Sequence, residues 1–91
     1  MIRLIKVLKI EPLDGFKCRV DFSDGSTGVR DFSDIIAEGG PMVEPLREQA
    51  FFRRVYVEFG VPAWPNGFDL DAIELHREMA AAGLLSRDAA E

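Results

Sequence analysis

Apolar and polar residues alternate most cleanly over residues 16–22. Phe16, Cys18, Val20 and Phe22 interleave there with Lys17, Arg19 and Asp21. A period of two marks a strand with one buried and one wet face. Upstream, "IRLIKVLKIEP" is rich in Ile, Leu and Val and reads as a strand ending before Pro12. Its apolar parity changes: Ile2 and Leu4 share one face, Ile5 and Val7 the other, Leu8 and Ile10 the first again. Such a strand is either covered on both faces or carries a bulge. "LDGF" and "SDGS" supply Asp-Gly turn signals on either side of the alternating strand, and "TGVRDF" follows as a third strand. Three strands joined by two tight turns predict an antiparallel meander.

After the meander the pattern becomes helical and irregular. Ser33 can cap a short helix, "DIIAE", stopped by Gly39 and Gly40. "PMVEPL" reads as an extended connector, and "REQAFFRRV" as one or two helical turns with Ala50 and Phe51 or Phe52 inward. "VYVEF" restores alternation, with Val55, Val57 and Phe59 on one face and Tyr56 and Glu58 on the other. A short extended piece after Gly60 and Pro62 reaches Trp64. The last helix is predicted from about Asp71 to Ala82, ending at Gly83. Its apolar stripe is Ala72, Leu75, Met79 and Ala82, with Glu74, Arg77 and Glu78 opposite. Residues 84–91 read as a frayed tail.

The densest local signal is "AWPNGFDLDAIELH". Trp64-Pro65-Asn66-Gly67 has β-turn chemistry: proline presets the backbone, and Asn and Gly tolerate positive φ. Asp69 or Asp71 can accept N–H groups at the following helix start, and Asp71 with Glu74 resembles a capping box. Every polar residue in the stretch thus has a structural use.

With 91 residues, 47% of them hydrophobic and 30% charged, the chain is long enough for one self-folding domain, assigned to residues 1–83. Sixteen acids against eleven basic residues leave a net charge of -5. That balance opposes direct nucleic-acid contact, which relies on clustered Lys and Arg. The single cysteine, Cys18, excludes an internal disulfide and a cysteine-based zinc site. No apolar run approaches the roughly 20 residues of a bilayer span, and no secretion signal is evident, so no membrane partner and a cytoplasmic location are expected.

Candidate chemistry is sparse. His76, the only histidine, borders the apolar stripe of the last helix and reads as a half-buried packing or surface residue. Cys18 lies on the inward face, where a thiol is inert. "DFSDGS" groups Asp21, Asp24 and Ser26 but lacks EF-hand spacing. No phosphate-binding Gly loop is present. No catalytic constellation, metal site or cofactor is therefore assigned. Trp64 and Tyr56 are the aromatic residues suited to interfaces; Trp64 is expected in the core and Tyr56 exposed.

The succession of "VDFSDGS", "VRDFSDII", "EPLREQAFFRRVYVEF" and "WPNGFDLD" resembles the domain-of-unknown-function family 2442, small bacterial proteins. The resemblance covers about residues 4 to 76. Its most specific part is Trp64, Pro65, Asn66, Gly67, Asp69, Leu70 and Asp71. The family usually has a Tyr where His76 stands. It implies a small α+β fold around an antiparallel sheet and no established activity. Added helix-turn-helix segments in some members, and a small neighbouring gene in many, imply partner binding or an antitoxin-like role.

These readings predict a single α+β domain: an antiparallel sheet of four or five strands, opening with the meander, packed against the carboxy-terminal helix. Phe16, Val20, Phe22, Val57, Trp64, Leu75 and Met79 should be largely buried. The expected function is a non-enzymatic protein-interaction module, an adaptor or antitoxin-like half of a two-protein system. Its interaction candidates are Tyr56, Trp64, Asn66, Asp69, Asp71 and His76, and its partner is a small protein. A small metal-dependent hydrolase using Asp69, Asp71 and His76 is the alternative. A homodimer through the first strand's edge or the Tyr56 side is also expected, burying about 1,200 Å² or more.

Overall fold

The alternating stretch becomes the second strand of a meander in the computed structural model, which describes residues 4–87. The part of the first strand expected at Ile2 and Arg3, and the tail beyond Arg87, lie outside the described residues. Strands β1 (Val7–Pro12), β2 (Lys17–Phe22) and β3 (Ser26–Asp31) pair antiparallel in sequence order. Their inner face carries Val7, Cys18, Val20 and Phe22, all buried. Their outer face sets opposite charges across from each other: Lys9 pairs with Asp21, Glu11 with Arg19, and Lys17 with Asp31. Such cross-strand pairs each contribute about 0.2–1 kcal/mol.

The parity change in the first strand is resolved as a bulge. Val7 pairs with Phe22 and Lys9 with Asp21, which leaves Leu8 as the extra residue, exposed to solvent. The strand also runs through Pro12 instead of ending before it. β1 is an edge strand, where a missing N–H is tolerated.

Helix α1 (Ser33–Glu38) contributes Ile36 to the core. Ser33 does not cap it. The Asp31 carboxylate instead accepts both the Ser33 N–H (2.9 Å) and the Ser33 hydroxyl (2.6 Å). The connector predicted to be extended is a turn followed by a 3-10 helix over Glu44–Arg47, with Pro45 in its first turn and Leu46 buried. Proline has no N–H to lose there, so it starts a helix as readily as it ends a strand. Helix α2 (Gln49–Phe52) buries Phe52 and half-buries Phe51, whereas Ala50 faces water.

The second alternating stretch does not join the main sheet. β4 (Tyr56–Glu58) and β5 (Val61–Ala63) form a separate two-stranded hairpin. Its loop is Phe59-Gly60, both at positive φ (52° and 80°), as a tight two-residue hairpin turn requires. Phe59, predicted to point inward with Val55 and Val57, is therefore 96% exposed. The Val7 N–H donates to the Gly60 carbonyl (2.8 Å), tying the hairpin tip to the start of β1.

Helix α3 (Ala72–Ala81) buries Ala72, Leu75 and Met79, while Ala82 is exposed. Gly83 (φ 74°) ends it: the Gly83 N–H donates to Ala80 O and the Leu84 N–H to Met79 O, the paired bonds of a Schellman cap. The chain then folds back, and β6 (Ser86–Arg87) pairs with Ser26 and Thr27 of β3, where a frayed tail was expected from residue 84. The fold is α+β, with a four-stranded antiparallel sheet and the carboxy-terminal helix. Phe16 and Val57 are only half-buried against a core that contains Val20, Phe22, Trp64, Leu75 and Met79.

Gly28 permits the return of the chain over β3. A Cβ at this position would overlap the Leu84 carbonyl oxygen and stand 3.2 Å from Met79 Cε. Gly28→Ala is expected to lower unfolding stability in urea by about 1–3 kcal/mol, the cost of overpacking. This should occur although Ala favours a strand more than Gly does. An unchanged midpoint would show that Leu84 moves aside freely.

Candidate functional site

The six residues singled out from the sequence fall into two groups. Trp64, Asn66, Asp71 and His76 are bonded into the fold, while Tyr56 and Asp69 are exposed. Trp64 closes the hairpin side of the core. Its ring is 1% exposed and packs between Phe52 (centroids 5.9 Å apart) and Phe68 (5.6 Å). Its indole N–H donates to the Phe52 carbonyl (2.9 Å). A buried indole N–H needs such a partner, and this one also satisfies an end carbonyl of α2.

The turn after Trp64 forms as its chemistry dictates. The Gly67 N–H donates to Trp64 O (3.0 Å), with Gly67 at φ 93°. Asn66 donates to the Met42 carbonyl (2.9 Å) and accepts the Phe68 N–H (3.3 Å), so one amide group joins the turn to the loop before the 3-10 helix. Asp71 Oδ2 accepts the Glu74 N–H (3.1 Å) and caps α3. The reciprocal half of the expected capping box is not made, because the Glu74 carboxylate pairs with Arg77. Asp69 bridges Ala63 through its backbone and leaves its side chain in solvent.

His76 is held by the turn between β2 and β3. Its Nε2 lies 2.9 Å from Asp24 Oδ2, and its ring meets Phe22 edge-on at 4.9 Å between centroids. Asp24 also accepts the Ser26 N–H (3.0 Å) and hydroxyl (2.6 Å). Burial alone would raise the Asp24 pKa; the Ser26 bonds and His76 outweigh it and hold the carboxyl at about 2. An ionised carboxylate only accepts, so Nε2 is the donor. His76 and Asp24, 52 residues apart in sequence, thus pin α3 to the meander. Arg87 adds a bond to the Asp24 carbonyl from β6.

Burial pushes the Cys18 thiol up to about 12, with the Arg53 charge offsetting only part of that rise. A thiol in that state is not a nucleophile near neutral pH. Among the described residues, no three His, Cys, Asp or Glu side chains come together in a way that would hold a metal ion. No described helix is long and apolar enough to cross a membrane.

What the surface offers instead is apolar. Leu4 (61% exposed), Leu8 (65%), Tyr56 (43%) and Phe59 (96%) lie on the start of β1 and on the β4–β5 hairpin. These are the two segments joined by the Val7–Gly60 bond. Of these four only Tyr56 was singled out from the sequence. The signal for Phe59 was present in the dipeptide Phe-Gly, which occupies the place of Asn-Gly between two short alternating runs.

A family model described as Protein of unknown function (DUF2442) matches residues 7–80. The chain belongs to this family. The match spans the meander, both hairpin strands, the Trp64 turn and nearly all of α3, so the bonds of Trp64, Asn66, Asp71 and His76 lie within the DUF2442 unit, while Arg87 lies beyond it. No curated protein matches the chain, and no solved structure does.

Two expected outcomes test the fixed residues of this DUF2442 chain. Asp24→Asn should lower stability at pH 7 by about 1 kcal/mol, a figure reduced for the partial exposure of the pair. The Asp24 pKa is depressed on folding, so its contribution is complete above pH 4 and fades as pH falls towards about 2. The variant should accordingly lose part of the wild-type decline in that window, followed by urea midpoints at stepped pH. Trp64→Phe should cost about 0.5–1.5 kcal/mol by removing the indole bond to the Phe52 carbonyl, which keeps only the longer Val55 N–H bond (3.3 Å). A chemical-denaturation midpoint equal to wild type would show that this bond is dispensable.

Proposed function

We propose that this chain is a non-enzymatic protein-interaction module, the adaptor or antitoxin-like half of a two-protein system. The observation that carries the reading is the exposed apolar set on the β1 start and the hairpin, with Phe59 at 96% exposure. Scattered surface apolar residues are ordinary, but several large ones on adjoining segments mark interaction sites. The uses already made of Trp64, Asn66, Asp71 and His76 support the same reading, since each spends its polar group on an internal bond. The gene neighbours implied by the family resemblance supply a natural partner class, another small protein.

Self-association belongs to the same proposal, because the expected two-fold dimer would use this side too. The bulge at Leu8 and Pro12 spoil β1 as a continuous template for strand pairing, so the contact is assigned to side chains on the Tyr56 and Phe59 flank. A copy and a partner would then compete for one surface.

Co-expression of the tagged chain with the protein encoded beside it, followed by affinity purification, is expected to recover both in a fixed ratio. Light scattering on the chain alone should report about twice the 10.2 kDa monomer mass, and a monomer at tens of micromolar would remove the dimer. Failure to recover the neighbour, together with a monomer at tens of micromolar, would leave the module reading without support.

A further inference from the structure

We infer that the notch between α1 and α3 docks a basic, amphipathic protein segment, which inserts one aliphatic side chain there. The inference goes beyond the Tyr56–Phe59 flank, with which the notch shares no residue.

The notch opens where the start of α3 passes α1. Ile35 of α1, Leu70 and Leu75 give it mainly apolar walls, with Asp71, Glu74 and Glu78 of the α3 side around them. Its volume is about 100 Å³. A cavity of about 150 Å³ holds benzene, so this one suits a single branched aliphatic group. Its two sides are tied together before anything fills it. Arg30 donates to Asp34 of α1 (2.8 Å) and to Glu78 of α3 (3.1 Å), and its guanidinium lies over the Phe32 ring. A site already held open needs little ordering when a partner arrives.

Charge specifies what surrounds the inserted group. The two helices and the residues leading into α3 carry Asp34, Glu38, Asp69, Asp71, Glu74 and Glu78. Against these six acids stand only Arg77 and, from β3, Arg30. The local charge is thus -4 within a chain total of -5. The ions beside α1 do not alter it, since Lys17 stands opposite Asp31 and Arg47 pairs with Glu44. Both arginines of the set are already engaged, Arg30 by Asp34 and Glu78, and Arg77 by Glu74. The Asp34, Glu74 and Glu78 side chains nevertheless remain well exposed, so a partner's cations can reach them. Lysines or arginines around one aliphatic anchor complement this surface, whereas an acidic segment is repelled by it.

The test titrates three synthetic helical peptides against the full chain by fluorescence anisotropy. The first has a central leucine flanked by lysines, the second has asparagine for that leucine, and the third has glutamates for the lysines. The leucine–lysine peptide is expected to bind about tenfold or more tightly than either of the others. Its advantage over the glutamate peptide should weaken as salt rises. Amide shift changes in NMR spectra should centre on Ile35, Leu70 and Leu75. The triple variant Glu38→Lys, Asp69→Lys, Glu74→Gln, altered only at exposed positions, should lose most of the affinity while melting close to wild type. Ile35→Phe, which fills the notch, should erase the advantage of leucine over asparagine; should it fail to fold, the two peptides alone decide the point. Equal binding of the leucine and asparagine peptides would reduce the effect to plain charge attraction and overturn the inference. Equal binding of the lysine and glutamate peptides, no binding of any peptide, or shifts centred on Tyr56 and Phe59 would also overturn it. Recovery of the neighbouring protein and the dimer mass are read separately, so either reading can fail without the other.

Discussion

One indole holds three parts of this small protein in register. Trp64 ends the β4–β5 hairpin, stacks between Phe52 and Phe68, and donates its only N–H to the last carbonyl of a one-turn helix. A four-residue helix has almost no cooperative stability of its own, so α2 exists because its carbonyl and its Phe52 ring are claimed by the core. The turn after Trp64 then starts α3 at a fixed distance from the same cluster. Phe52 in turn meets Phe16 edge-on at 5.2 Å, which links the cluster to the loop before β2. Main sheet, hairpin and helices thus converge on a single aromatic seam.

Features governed by nearest neighbours were legible in the sequence. The alternation of Phe16, Cys18, Val20 and Phe22, the two Asp-Gly turns, the Trp-Pro-Asn-Gly turn, the Asp71 cap and the Gly83 stop all follow from local backbone preferences. The bulge at Leu8 was visible as a parity change, because a strand with one buried face cannot switch sides without one. What failed was wherever two local solutions were close in energy. "PMVEPL" could extend or coil, and burial of Leu46 settled it as a 3-10 turn. "VYVEFGV" could continue as one strand or fold at Phe-Gly, and the Val7 bond to Gly60 favours the fold-over.

The candidate site was less legible, for a different reason. Tyr56 and Trp64 were correctly divided between surface and core by their parity and by the turn beside Trp64. The pairing of His76 with Asp24 leaves no trace in either neighbourhood, since it depends on how α3 crosses the β2–β3 turn. Phe59 was placed on the wrong face because alternation assumes that the strand goes on. The same error hid the approach of the Lys6 stem to Gly60, which only the folded tip brings about.

The charge ladder on the solvent face of the meander has a consequence for which pairing the strands adopt. A one-residue shift of β1 against β2 is already forbidden, since it would turn Val7 and Ile10 outward. A two-residue shift keeps every apolar side chain on its proper face, so the core cannot detect it. The charges can. Sliding one way puts Lys9 opposite Arg19, and sliding the other puts Glu11 opposite Asp21; each replaces an attraction with a repulsion. The wet face thus acts as a proofreading key during chain collapse, selecting the native alignment among those that hydrophobic burial alone would accept.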